Sequence, residues 1–226
     1  MSNYTSNQTN QAPGYLEPTW WEGGALFDIM IQYWYFTGDA SNNAAVRQGM
    51  YFQRGDDDYF PANYSSYLTN EGQAAWAQAA MTAAELEFPM SASMPSWVTL
   101  AENVWNQQVL RWDTESCGGG LRWAIFPYQL GYAFKDALSN GLLFQLSARL
   151  ARYTGNQTYA NWAEKIWDWS GNSSLLNTED WWVGNHVDMN NDCKPYYIPW
   201  SYNFATYIRG AADMYNLVSQ GGNFFG

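Results

Sequence analysis

Apolar residues recur at helical spacing along most of the chain. Between Trp21 and Thr37 they fall at Ala25, Leu26, Ile29, Met30, Tyr33 and Trp34, which puts them on one face of a helix. Gly38-Asp39 ends that run. A second helix is predicted to about Gln53, with Asn42 or Asn43 available as its cap. Gly55 and the aspartates Asp56, Asp57 and Asp58 follow as a loop. An Ala- and Met-rich stretch predicts a third helix from about Glu71 to Glu87, closed by Pro89. Pro95-Ser96 opens a fourth, Trp97 to Trp112. Thr114 to Tyr132 is glycine-rich and reads as a loop or short irregular strand pair. Further helices are predicted over about Lys135 to Tyr153, Thr158 to Trp169 and Trp200 to Val218, with a loop from Gly171 to Pro199. No stretch alternates clearly enough to predict a strand. The pattern is therefore all-α.

The chain echoes itself. Tyr35-Phe36-Thr37-Gly38-Asp39 ends the first helix and Tyr153-Thr154-Gly155-Asn156 ends the fifth, each just before a new helix. A long helix, a Thr-Gly-Asp/Asn turn and a shorter helix make a helical hairpin. Hairpins that cannot bury their apolar faces alone stack on one another.

Composition narrows the partners. The chain has 226 residues and a formal net charge of -11, so it repels phosphate backbones and nucleic acid is excluded as a partner. Its single histidine, His186, argues against a zinc site or a histidine triad; no metal and no cofactor is expected. No apolar run approaches the roughly 18 residues of a transmembrane segment. With 14 Trp and 17 Tyr, most rings must build the core, yet ring faces with polar edges also suit a sugar cleft. Sequons begin at Asn3, Asn7, Asn63, Asn156 and Asn172, a set that leans toward secretion and glycosylation. In that compartment the two cysteines, Cys117 and Cys193, are expected to form one disulfide. Met1 to Gln11 is polar and does not read as a signal peptide, which suggests a processed form, an expressed fragment or a partial gene.

Several motifs stand in one order. They are Trp20-Trp21-Glu22-Gly23-Gly24-Ala25, Asp58-Tyr59-Phe60-Pro61, Ala79-Ala80-Met81-Thr82-Ala83-Ala84-Glu85 and Cys117-Gly118-Gly119-Gly120-Leu121-Arg122-Trp123. Lys135-Asp136-Ala137-Leu138-Ser139-Asn140-Gly141, Ala148 to Gly155 and Trp162-Ala163-Glu164-Lys165 follow. Together they resemble glycoside hydrolase family 76, the endo-α-1,6-mannosidase family, which includes fungal wall enzymes acting on mannan of glycoproteins. The resemblance implies an (α/α)6 barrel built from helical hairpins. The roughly seven helices counted here are short of its twelve, so residues 1–226 correspond to the N-terminal half to two-thirds of a single family domain. It also implies a secreted, wall-associated protein whose partner is α-1,6-linked mannan or a mannoprotein glycan.

The resemblance also locates the chemistry. Hydrolysis by the retaining route uses two carboxyl groups about 5 Å apart, one as nucleophile and one as acid and then base. In the family these are adjacent aspartates at the start of the third helix, followed by Gln and, three residues later, Trp. Gln73 and Trp76 fix that register, and the pair reads Glu71-Gly72. Glu71 takes the nucleophile position, where the helix N-terminus favours an ionised carboxylate. Gly72 cannot transfer a proton. Asp57 and Asp58 are the candidate replacement acids. By resemblance, Trp20, Trp21, Trp76, Arg122, Trp123, Lys135 and Asn140 line the sugar cleft, although Arg122 and Lys135 could instead pair with Asp113 or Asp136. Three readings follow: an active endo-α-1,6-mannosidase or transglycosidase, a mannan-binding paralogue without turnover, and a partial gene product without function. The altered pair predicts negligible hydrolysis.

Overall fold

The computed structural model describes residues 13–14, 19–63 and 65–220. They fall into two compact units. Unit 1 comprises Met1–Leu68 and Gly72–Gln107; unit 2 comprises Thr69–Glu71 and Gln108–Gly226.

Unit 1 holds helices α1 (Trp21–Thr37) and α2 (Asn43–Phe52), a 3-10 turn at Ser65–Tyr67, and most of α3 (Asn70–Glu85) and α4 (Trp97–Leu110). Its centre is aromatic. Trp76 is fully buried, with the rings of Trp20, Phe27 and Tyr59 at 5.2, 5.8 and 5.6 Å. Tyr51 stacks on Trp97 at 4.4 Å. Large rings supply much apolar area per residue, which suits helices whose backbones approach closely. Gly24 makes that approach possible, since a Cβ there would stand 2.9 Å from the Trp76 backbone nitrogen.

Unit 2 holds five short strands and three long helices. In chain order these are β1 (Phe134–Asp136), α5 (Ala137–Thr154), α6 (Gln157–Asn172), β2 (Leu176–Asn177), β3 (Trp182–Val183), β4 (His186–Asp188), β5 (Lys194–Tyr196) and α7 (Ser201–Gln220). β1, β4 and β5 form an antiparallel sheet in that order, and β2 pairs with β3. α5 is buried along Leu143, Phe144, Leu146 and Leu150 and packs on α6 and α7. Gly210 of α7 faces the Phe144 ring, where a Cβ would come within 2.5 Å.

The predicted helices are all found, and the architecture is mainly helical. The two Thr-Gly turns match in detail. Gly38 and Gly155 close α1 and α5 at φ 74° and 72°. In each turn the threonine hydroxyl donates four residues back and accepts from the amide two residues on. The strands are the departure: at two or three residues each, they are too short for alternation to register. Two boundaries also shift. The Asn42 side chain makes no cap to α2 and donates to Ser41 instead. Lys135 and Asp136, predicted to open the fifth helix, belong instead to strand β1, and Asp136 caps α5 by accepting from the Ser139 amide.

Candidate active site

The expected disulfide is present: Cys117 in the glycine loop joins Cys193 between β4 and β5. The glycine loop is also held from inside. Lys135 has no exposed surface, and its ammonium donates to the carbonyls of Asp113, Ser116 and Gly119. Its charge is met by Asp113 at 3.2 Å, which also pairs with Arg122. The Arg122 guanidinium lies 4.5 Å over the Tyr132 ring. Burial works against the Asp113 carboxylate. Donors from Ser116, Glu115 and Lys135 outweigh it and hold the pKa at about 2.

This reassigns several expected cleft residues. Lys135 and Arg122 belong to the Asp113 cluster, the pairing the sequence left open, and Asp136 is not their partner. Asn140 is fully buried: its side chain accepts from the Leu121 amide and donates to the Leu121 and Asp136 carbonyls. Trp76 is core, its indole donating to the Trp20 carbonyl. Trp20 is 8% exposed and donates to Gln53. These five are occupied by structural roles because their polar groups are consumed within the protein. Trp21 remains 43% exposed on α1. Asp57 is ion-paired to Arg54 and Asp58 accepts from the Phe60 amide; both belong to unit 1 and Glu71 to unit 2. Asn63, Asn156 and Asn172 are exposed, whereas Asn3 and Asn7 lie outside the described residues.

Glu71 and Trp123 are brought together. Three backbone segments run side by side. The Asn70 amide donates to the Trp123 carbonyl at 2.9 Å, Thr69 bridges Ala124, and the Trp123 amide donates to the Phe134 carbonyl at 2.8 Å. The Asn70 side chain donates to the Arg122 carbonyl, and Gln108 donates to the Asn70 carbonyl. The first turn of α3 is thus fixed beside Trp123, whose ring lies on Gly131. The Trp123 and Thr69 side chains stand near the Glu71 carboxyl and favour its charged form. Its Oε2 is buried and reached by no protein donor.

The sequence reading expected the helix terminus to keep Glu71 ionised. Burial dominates instead, with the charge of Asp136 as the next contribution, and the pKa rises to about 8. Asp136 is raised too, to about 6, by burial that its α5 amide donors only partly offset. The sequence left Asp136 open as one of two possible partners for the cations. The clue to the contrary was strand alternation: consecutive residues of β1 point to opposite faces, so Lys135 and Asp136 cannot share an environment.

The model of glycosyl hydrolase family 76 matches residues 1–222. The chain belongs to glycosyl hydrolase family 76. It is 43% identical over 224 residues to the mannan endo-1,6-alpha-mannosidase DCW1 of Saccharomyces cerevisiae, covering 96% of this chain and 50% of that protein. It is 42% identical to DCW1 of Candida albicans, covering 89% and 45%. The chain therefore spans about half the length of these relatives. Among solved structures, Dfg5 from Chaetomium thermophilum in complex with glucosamine superposes with a TM-score of 0.91 at 39% identity, over 98% of this chain and 57% of that one. An α-1,6-mannanase of Salegentibacter, an inactive variant with two neighbouring aspartates changed to alanine, bound to α-1,6-mannotetrose, shares the fold at TM-score 0.74 and 18% identity, covering 95% and 61%. This is the incomplete helical-barrel class the sequence implied. Among the described residues no helix is long and apolar enough to cross a membrane.

Proposed function

We propose that this chain acts on α-1,6-linked mannan of the fungal wall, as a family 76 glycosidase or transglycosidase in which residues 1–226 form one domain. The observation that carries the reading is Glu71, a carboxyl that stands where the family's register has its first aspartate, in the first turn of α3, on the segment paired with Trp123. A carboxyl held protonated near neutral pH can give its proton to a leaving glycosidic oxygen, and a half-buried Trp beside it offers a ring to the sugar. The relatives that share 43% and 42% identity bear the name mannan endo-1,6-alpha-mannosidase, which supplies the substrate class. An extracellular, wall-associated location follows from that substrate and fits the exposed sequons at Asn63, Asn156 and Asn172. The test is calorimetric titration of the full chain with a linear α-1,6-mannotetraose. Saturable binding that drops at least tenfold in Trp123→Ala is expected; an unbound tetrasaccharide overturns the substrate assignment.

A further inference from the structure

The β1–β4–β5 sheet has two unlike faces. Its register sets Asp136 opposite His186 and His186 opposite Tyr196, with Lys135, Val187 and Pro195 in the neighbouring row. Side chains alternate along a strand, so the two rows point to opposite faces. Lys135 and Val187 are fully buried. The other row opens outward from β1 to β5: Asp136 is 8% exposed, His186 is half-buried and Tyr196 is 52% exposed. Phe134, two residues before Asp136 on β1, shares that face.

The rings on this face touch. The Phe134 and His186 centroids are 4.2 Å apart and those of His186 and Tyr196 5.2 Å apart, at interplanar angles of 34° and 32°. The row continues past β1. A Cβ at Gly131 would collide with the Trp123 ring and stand 3.4 Å from the Phe134 ring, so both rings flank one backbone point. The Trp123 carbonyl in turn accepts from the amide of Asn70, the neighbour of Glu71. Four rings, none of them fully buried, therefore lead from the Glu71 segment to the edge strand. Core rings of this protein differ: Trp76, Tyr59 and Phe27 are at most 1% exposed.

Polar atoms along the row are left open. Asp136 Oδ2 accepts from the Ser139 amide at 3.0 Å, while Oδ1 is buried and meets no protein donor. A buried acceptor without a donor calls for an explanation. His186 Nδ1 lies 3.4 Å from Asn185 Oδ1. With the proton there, the neutral ring presents Nε2 as an acceptor, and burial lowers the His186 pKa, which favours that neutral form. Among the described residues, neither Nε2 nor the Tyr196 hydroxyl has a hydrogen-bond partner. Asp188 on this face is opposed by Lys194 in the register. Ring faces with open polar edges suit an uncharged hexose, which is apolar on its faces and hydroxylated at its rim, better than an ion. A ligand laid across the strands meets a new strand about every 4.8 Å.

We propose that this row is a sugar-binding platform that leads the mannan chain away from the Glu71 position, with Phe134, His186 and Tyr196 stacking hexose rings and Asp136 and His186 accepting from their hydroxyls. The assignment rests on the mannan reading and adds the path of the chain. Trp123, at the inner end, serves the sugar beside Glu71; the outer rings serve the sugars beyond it. The platform therefore acts on long ligands and leaves short ones alone.

The test is calorimetric titration of the full chain with α-1,6-mannobiose and α-1,6-mannotetraose. Tyr196→Ala removes an exposed ring from an edge strand, and His186→Phe keeps the ring row but removes the acceptor. Tetraose affinity is expected to fall about tenfold in Tyr196→Ala, the worth of burying roughly 55 Å² of apolar ring face. In His186→Phe it is expected to fall about threefold to tenfold, the worth of one hydrogen bond. Biose affinity should hold in both. Tyr153 is 49% exposed at the far end of α5, roughly 25 Å from Asp136 at the helical rise, and Tyr153→Ala should change neither affinity. His186 is the single histidine of the chain, so its ring ¹H resonances give a second readout on the unaltered protein: they are expected to shift saturably with tetraose. Tetraose affinity unchanged in both variants, or His186 resonances unmoved by bound tetraose, overturns the platform and spares the mannan reading. Biose affinity lost in step with tetraose affinity also overturns it. Binding of β-1,4-mannotetraose in place of the α-1,6 tetramer, weakened in Tyr196→Ala, upholds the platform and overturns the α-1,6 reading. If neither tetramer binds, both fall.

Discussion

Unit 2 contains two groups of buried charge that begin from neighbouring residues of one strand and end in opposite electrostatic states. On the Lys135 face, one carboxylate, Asp113, meets two cations, and every polar atom of the Lys135 head is matched to an oxygen. On the Asp136 face, burial raises two carboxyls, and the charge of Asp136 adds to the rise of Glu71. The first group holds its acid at a pKa of about 2; the second lifts both of its acids. Burial alone does not decide these outcomes, since Lys135 and Asp136 are both inside. Compensation does. A compensated cluster holds a loop in place, while an uncompensated one stores a proton that chemistry can use.

The largest expected effect is on the compensated side. The Cys117–Cys193 bridge spans a sequence separation of 76 and ends in the loop that Lys135 holds. Replacing both cysteines with serine is expected to lower stability by about 4 kcal/mol from loop-closure entropy, read as a urea midpoint shift. It should leave the pH dependence of stability between pH 5 and 8 unchanged; an altered dependence would show that the two groups are not independent. Next in size, Asp113→Asn strands Lys135 and Arg122 without their counter-ion. A loss of about 3 kcal/mol is expected, because breaking a buried pair leaves a charge unmatched. A loss under 1 kcal/mol would mean that carbonyl oxygens alone suffice for Lys135.

How much of this contrast the sequence could show depends on range. The helices, the paired Thr-Gly turns and the Glu71 register were readable because each depends on residues within a turn or two of one another. The cysteine pairing was readable because only one partner existed. The strands escaped because two or three residues carry no period. The buried roles of Lys135, Asn140 and Trp76 were not decided by the sequence for a different reason. A motif shows that a residue recurs in a pattern, and a fully buried anchor of a loop recurs as regularly as a ligand to sugar. Asp136 was missed because its partner Glu71 is far away in sequence and joined only through the Trp123 segment. The alternation of β1 held the hint, and it had no force until the segment was known to be a strand.

The pH dependence of stability sharpens the comparison, since the two groups carry opposite signs. Asp113 has a folded pKa below its ordinary 3.8, so its contribution is present above about pH 4 and is lost as pH falls toward 2. Glu71 and Asp136 have folded pKa values above their ordinary 4.5 and 3.8. There the folded protein binds more protons than the unfolded chain, so stability falls as pH rises from about 4 to 8. The expected decline between pH 5 and 8 is on the order of 1–3 kcal/mol and falls by more than half in Glu71→Gln, which leaves the smaller share of Asp136 in place. An undiminished decline in that variant would place its origin elsewhere.

The smallest expected effect is the most discriminating. Asp136→Asn is the same chemical change as Asp113→Asn, an amide for a carboxylate, made on the other face of the same strand's surroundings. Asparagine caps a helix as well as aspartate does, so its side-chain oxygen still accepts from the Ser139 amide and α5 keeps its start. What is lost is a charge that repels Glu71 and has no cation to oppose it. At pH 8 the variant should therefore match or exceed the unaltered chain, by up to about 1 kcal/mol, the sum of a retained cap and a relieved repulsion. At pH 4 both chains carry a neutral group there, and the difference should shrink toward zero. Chemical unfolding at the two pH values reads this directly. If Asp136→Asn instead loses as much as Asp113→Asn at pH 8, Asp136 has a compensating partner, and the distinction between the two faces of β1 fails.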